Sequence, residues 1–240
     1  MAKPTNEWVV RPHGPLQKLT ENLWRVEGSL PGMSLRRNMV IARMTDGRLV
    51  INSAIALEEP LMKELEGWGR PAFLVIPNRY HRLDLPAFKR RYPDLTVLVP
   101  SGARKTVERV QRADGTFEDF PSNETVVLSP LDGIGDQEGV MTVESEDGIT
   151  LVLGDVVFNM DMKTDLLGRL FVTLVGSAPG PRVHRLFRLL VVKDRAALRR
   201  QLERLAETPR LKRLIVAHEK LTTGGPESAA VLEQAAAYLA

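Results

Sequence analysis

Short apolar runs separated by turn residues recur along the chain, and their spacing switches between a period of two and a helical one. Residues 23–26, 39–43 and 49–52 carry apolar and β-branched positions in short runs, with Thr45-Asp46-Gly47 as the turn between the last two, so a β-rich opening is predicted. Residues 57–68 place Leu57, Leu61, Met62 and Leu65 on one helical face, with acids at the start and Gly69 and Pro71 at the end. The continuous apolar run 72–76 reads as a strand buried on both faces. Asp84 or Leu85 can cap a helix that opens near Pro86 and stops before Tyr92-Pro93, and 95–99 is the next strand.

The second half repeats the alternation of blocks. Residues 102–111 read as a short basic helix and 115–123 as a loop, followed by strands at 125–128, 140–144 and 149–153 that end on Gly154-Asp155. Asp194 is placed to cap a helix with Leu198, Leu202 and Leu205 on one face; 214–217 forms a last buried strand, and Pro226 opens a last helix. Strands, then a βαβαβ progression, then strands and helices again predict an α+β fold: an αββα sandwich of two mixed β-sheets packed face to face, with helices on both outer faces. No Pro/Gly/Ser linker divides residues 1–240, so a single domain is expected.

Composition narrows the chemistry. An apolar content of 43% over 240 residues fills a sizeable core and excludes a disordered chain. No apolar run approaches the ~20 residues of a membrane-spanning helix, and residues 1–10 carry Glu7 and Trp8 where an export signal has its apolar segment. A cytoplasmic location without a membrane partner is therefore expected. The net charge of +3 is small but blocked: 79–112 and 182–213 are mostly basic, whereas 113–161 is acidic without a single Lys or Arg. Such runs mostly solvate a surface; a basic groove for an anion is the functional alternative. Nucleic-acid binding ranks last, because aromatic residues are only 5% and do not interleave with the basic ones. The amphipathic stretch 183–192 is expected to pack on the domain rather than on a membrane. With no cysteine there is no disulfide and no thiolate, so a transition-metal site must come from His, Asp and Glu, and the chain has four histidines: His13, His81, His184 and His218.

Three strand ends carry polar residues where an α/β sheet places its ligand crevice: residues 77–84, Gly154-Asp155, and Ala217-His218-Glu219. The order of elements, the strand-Gly-Asp at 151–155 and the strand-Ala-His at 214–218 resemble the metallo-β-lactamase superfamily, and the likeness runs over nearly the whole chain. In that family a His-x-His-x-Asp-His motif follows one strand, a further His sits near a Gly-rich turn, an Asp bridges two metals, and a last His follows the last strand. The resemblance puts Asp155 at the bridging Asp and His218 at the last His. At the first motif Asn78, Tyr80, Arg82 and Leu83 stand where the family has ligands; shifting the frame brings His81 and Asp84 to ligand positions instead. Asp136, in the Gly-rich turn 133–139, stands where the other His would be.

Each residue also has a quieter reading: Asp155 and Asp136 as turn residues, Asp84 as a helix cap, His81 as a structural His at a helix start, His218 as a buried His paired with Asp155, and His13 and His184 as surface or packing residues. Two functions remain. One is a descendant without catalysis whose degenerate site binds a small anion through Asn78, Arg79, Arg82 and Asp136, without a cofactor. The other is a hydrolase of an ester, lactone or phosphoester with one zinc or iron held by Asp155, His218 and His81. Two firm ligands and an Arg in the place of an acid tilt the sequence toward the first. Substrate and oligomeric state have no signature in the sequence.

Overall fold

Strand residues of even and odd number face different cores, and this alternation is what builds the layers. A computed structural model describes residues 3–161, 176 and 179–240. Its first sheet has seven strands in sequence order: β1 (Gln17–Thr20), β2 (Leu23–Leu30), β3 (Met33–Arg43), β4 (Arg48–Asn52), β5 (Arg70–Val75), β6 (Thr96–Val99) and β7 (Gly115–Thr116). Pairing is antiparallel as far as β4 and parallel from β4 to β7. The second sheet runs β12-β11-β10-β9-β8, built from β8 (Val126–Pro130), β9 (Gly139–Ser145), β10 (Gly148–Leu153), β11 (Leu211–Val216) and β12 (Leu221–Thr223). Only β10 and β11 pair in parallel there.

On β3 and β4, Met39, Ile41, Leu49 and Ile51 pack outward against α1 (Glu59–Trp68) and α2 (Leu85–Arg91), while Val40, Ala42 and Val50 point to the other sheet. On β10 and β11, Val152 and Ile215 meet them between the sheets, and Leu151, Leu153, Leu214 and Val216 pack outward. There they meet α5 (Arg195–Ala206) and α6 (Gly225–Ala237). A strand buried on both faces loses the polar alternation of a surface strand, which is why 72–76 and 151–153 read as unbroken apolar runs. The result is the expected sandwich of two mixed sheets with helices outside.

Leu198 and Leu202 are fully buried, and the Asp194 carboxylate accepts the Ala197 N–H at 2.9 Å, the predicted cap. Three local readings change. The basic helix expected at 102–111 is a 3-10 turn at Ser101–Ala103 and one helical turn, α3 (Arg104–Val107); Val107 is its one buried apolar residue, so nothing rewards its extension. The expected loop at 115–123 contains β7 and a 3-10 turn closed by a Thr116/Asp119 capping box. The edge strands β1 and β12 were not anticipated, because edge strands are short and bury little. Within 183–192 lies α4 (Arg185–Leu190); Phe187 is buried, but Leu189 is 75% exposed and Leu190 64%. Among the described residues no helix is long and apolar enough to cross a membrane.

Candidate metal centre

Four strands deliver the site from their carboxyl ends. After β4 comes Ser53, held at φ 57°; after β5, Asn78 and His81; after β10, Asp155; after β11, His218. β4 neighbours β5 in one sheet and β10 neighbours β11 in the other, all in parallel, so the two rims face each other across the sandwich. Asp155 Oδ1 lies 3.2 Å from His81 Nε2 and 3.1 Å from His218 Nε2. One donor atom from each of the three falls within 4.8 Å of the others, and they are the one such group among the described residues.

Each imidazole is oriented by its far nitrogen. His218 Nδ1 donates to the Arg36 carbonyl at 2.8 Å, and His81 Nδ1 pairs with Ser53 Oγ at 2.8 Å. A carbonyl only accepts, so in neutral His218 the Nε2 that faces Asp155 is bare. Two lone pairs at 3.1 Å repel unless a proton or a metal ion lies between them. The turn that carries His218 is itself pinned: Asn38 donates to Val216 O at 2.7 Å, Ala217 O accepts from Asn38 N, and Arg25 reaches Glu219 O at 2.8 Å.

Behind Asp155 sits Glu138, fully buried. Its carboxyl accepts from the backbone N–H of Asp155 and Val156 at 2.8 and 2.9 Å and from the Asn78 amide at 2.8 Å. The same Asn78 nitrogen donates to Asp155 Oδ2 at 3.0 Å, so one amide bridges two acids. Gly154 is required here, because a Cβ would stand 2.7 Å from the Glu138 carboxyl carbon. Burial and then the Asp155 charge push Glu138 up to about 8, against the pull of its three donors. Burial also pushes Asp155 up, but the charge and hydrogen bonds of His81 and His218 outweigh it and hold the carboxyl well below the usual range. For His218 burial acts downward, and the Asp155 contact, its charge and the Arg36 carbonyl win, leaving the imidazole above its ordinary value.

The residues singled out from sequence end in different places. Asn78, His81, Asp155 and His218 share the site. Arg79 lies over the Tyr80 ring and Arg82 donates to the Thr106 carbonyl, so neither guanidinium reaches it. Asp136 occupies a left-handed position (φ 53°) whose carbonyl accepts from Gly102; two residues on, Glu138 takes the inward place. Asp84 stands at the start of α2 but makes no capping bond: it is 2% exposed and pairs with Arg37 and, at 3.1 Å, with Arg11. His184 is not a bystander either. It lines the cavity beside the site, accepts the Phe187 N–H on Nδ1 and stacks edge-on to Phe158; burial lowers its pKa. Glu138, Ser53, Arg37 and His184 were missed as site residues. For Glu138 a signal existed, since it is the acid closing the Gly-rich turn; Ser53 and Arg37 carry none in isolation.

No protein-family model and no curated protein matches the chain. Among solved structures it is similar to that of VMB-1, a metallo-β-lactamase, with a TM-score of 0.64 over 93% of this chain and 96% of that one at 10% identity. This likeness establishes the metallo-β-lactamase fold.

Proposed function

We propose that His81, Asp155 and His218 hold a single divalent ion and that the protein hydrolyses an ester-like bond in the adjoining cavity. The observation that carries this reading is the third ligand. Asp155 and His218 alone are too few, and His81 completes the set of about three protein donors that a catalytic zinc site uses while leaving one position open. The spacing fits as well: two ligands at ordinary zinc distances in tetrahedral array stand about 3.3 Å apart, against 3.1 and 3.2 Å from Asp155 to the two imidazoles. Both imidazoles have their far nitrogen occupied, which presents Nε2 to the ion. A zinc or iron ion bound there would supply Lewis acidity and an activated water near neutral pH. The chain's own groups set the frame: Glu138 and Asn78 hold Asp155 in place, Ser53 and the Arg36 carbonyl orient the imidazoles, and Phe158 stacks on His218.

A second reading keeps the same three residues without metal, as a hydrogen-bonded triad at the floor of a binding pocket. The same distances favour it, since 3.1 and 3.2 Å are also hydrogen-bond lengths once both Nε2 atoms carry protons. Elemental analysis of protein purified without chelator separates the two. About one equivalent of zinc or iron, lost in both His218→Ala and His81→Ala, is expected; wild-type protein with less than a tenth of an equivalent after dialysis against zinc would leave only the triad.

A further inference from the structure

The cavity above the His81, Asp155 and His218 cluster measures about 270 Å³. Its walls come from β2, β3, α4 and the segment after β10, and they are hydrocarbon: Leu30, Met33, Leu35, Phe158, Phe187 and Leu190. Among the described residues one guanidinium, that of Arg37, lines it, and Arg37 is already spent. Its Nη2 pairs with the buried Asp84, its Nη1 donates to Ala54 O at 3.2 Å, and its Nε points to Ser29 O at 3.4 Å. The basic residues that could have received an anion, Arg79 and Arg82, are engaged elsewhere. At the floor lie His81, Asp155 and His218.

We infer that this cavity takes an uncharged alkyl or acyl chain, so that the ester-like bond proposed above belongs to a substrate that carries an apolar chain, such as a carboxylic ester or lactone with an apolar acyl group. An anionic group placed along these walls would lose its hydration against leucine and phenylalanine side chains. An alkyl chain meets no such cost. Each methylene it buries is worth about 0.8 kcal/mol, roughly a fourfold gain in affinity. The volume lies near the lower limit of small-molecule sites, about 300 Å³, which suits one chain and not a branched or polycyclic body. Leu186 and Leu190, on the exposed side of α4, form the rim of the entrance.

This inference rests on the proposed hydrolytic reading only for the bond that is cleaved; the pocket itself is testable without metal. The experiment titrates 2-butanone, 2-hexanone and 2-octanone, with octanoate as the anionic counterpart, into the full chain as purified and after chelator treatment, and reads binding by calorimetry or ligand-observed NMR. Affinity is expected to rise by at least tenfold from 2-butanone to 2-octanone, with or without chelator, and octanoate is expected to bind more weakly than 2-octanone. Leu190→Glu, at a position 64% exposed and therefore tolerant, should weaken 2-octanone at least tenfold. Leu186→Gln, also at the rim, gives the same test if the first variant does not fold. Affinity flat with chain length, octanoate binding tighter than 2-octanone, or both rim variants binding 2-octanone as the wild type does would each overturn the inference. Ketone binding in a protein that holds no metal would defeat the hydrolytic reading alone and leave the apolar pocket standing.

Discussion

Two buried aspartates, Asp84 and Asp155, have opposite characters. Both are almost fully enclosed, and each is held by two basic side chains from elsewhere in the chain. Asp84 has arginines, Arg37 and Arg11, and Asp155 has histidines, His81 and His218. Arginine keeps its charge at every pH a folded protein meets and cannot coordinate a metal, so the Asp84 cluster is closed chemically. Histidine exchanges its proton for a metal ion or for nothing. The partner, not the carboxylate, decides which acid is structural and which is reactive.

The largest effect tests the closed cluster. Asp84→Asn leaves Arg37 buried with a charge it cannot shed, and a broken buried pair typically costs about 3 to 5 kcal/mol. Urea denaturation should show a loss of that order while metal content per folded molecule stays as in the wild type. A loss below about 1 kcal/mol would mean that Arg37 finds water or another acceptor and that the cluster is not closed. The next effect is smaller for a physical reason. In metal-free Asp155→Asn no charge is left that cannot be shed, because imidazole, unlike guanidinium, can be neutral, so the cost is about 1 to 3 kcal/mol, that of an unsatisfied buried group. Bound zinc or iron should vanish from this variant; retention of a full equivalent would place the metal elsewhere.

Much of this contrast was legible in the residues and part of it was not. Asp155 and His218 follow apolar strands directly, so the pleat and the strand end fix where their side chains go, and their meeting at 3.1 Å follows from the fold. His81 and Asp84 lie in the same irregular stretch after β5, where no period sets direction. Which of the two turns to Asp155 and which to Arg37 depends on an arginine from β3, far away in sequence. The same holds for Asp136 and Glu138: the Gly-rich turn was visible, but which acid points inward is set by left-handed backbone at Gly133, Gly135 and Asp136. Arg79 and Arg82 suggested an anion site by their place in the motif after β5, and the ring of Tyr80 and the Thr106 carbonyl claimed them.

The pH dependence of metal-free protein sharpens the comparison further. His218 is held above its ordinary value, so its stabilising protonation is complete below the unfolded pKa of about 6.5 and is lost as pH rises through the folded one. Glu138, pushed up to about 8, acts in the same direction: the folded state holds a proton that the unfolded chain has released, and stability falls until that proton leaves. Asp155 has the opposite sign, its contribution disappearing only as pH falls below the ordinary carboxylate range. His184, lowered by burial, gains stability as pH rises through its ordinary range, so a window above that range excludes it. Chemical denaturation from pH 7 to 9 should therefore show chelator-treated wild type losing about 1 to 2 kcal/mol, one pKa unit being worth about 1.4. Asp84→Asn should keep that slope, since no arginine titrates there, and Asp155→Asn should reduce it, because burial alone still raises Glu138. Equal slopes in all three proteins would assign the titration to other groups.

The smallest effect isolates a single hydroxyl. Ser53 holds φ 57°, a left-handed conformation that alanine tolerates no better and no worse than serine, so Ser53→Ala changes the side chain and leaves the backbone cost in place. What goes is the contact of Ser53 Oγ with His81 Nδ1 at 2.8 Å. A net hydrogen bond of this kind is worth about 0.5 to 1 kcal/mol, and the midpoint of denaturation should fall by no more than that. The consequence for the metal is the more telling readout. His218 keeps its orientation through the Arg36 carbonyl, whereas His81 is left free to rotate or to change tautomer, so zinc affinity measured by competition with a chromophoric chelator should drop while His218→Ala still abolishes binding. Ser53→Gly relaxes the backbone and removes the same hydroxyl; it should weaken zinc as much as Ser53→Ala while recovering stability. Unchanged zinc affinity in both variants would show that His81 is not a ligand, and the site would revert to the two-residue pairing of Asp155 with His218.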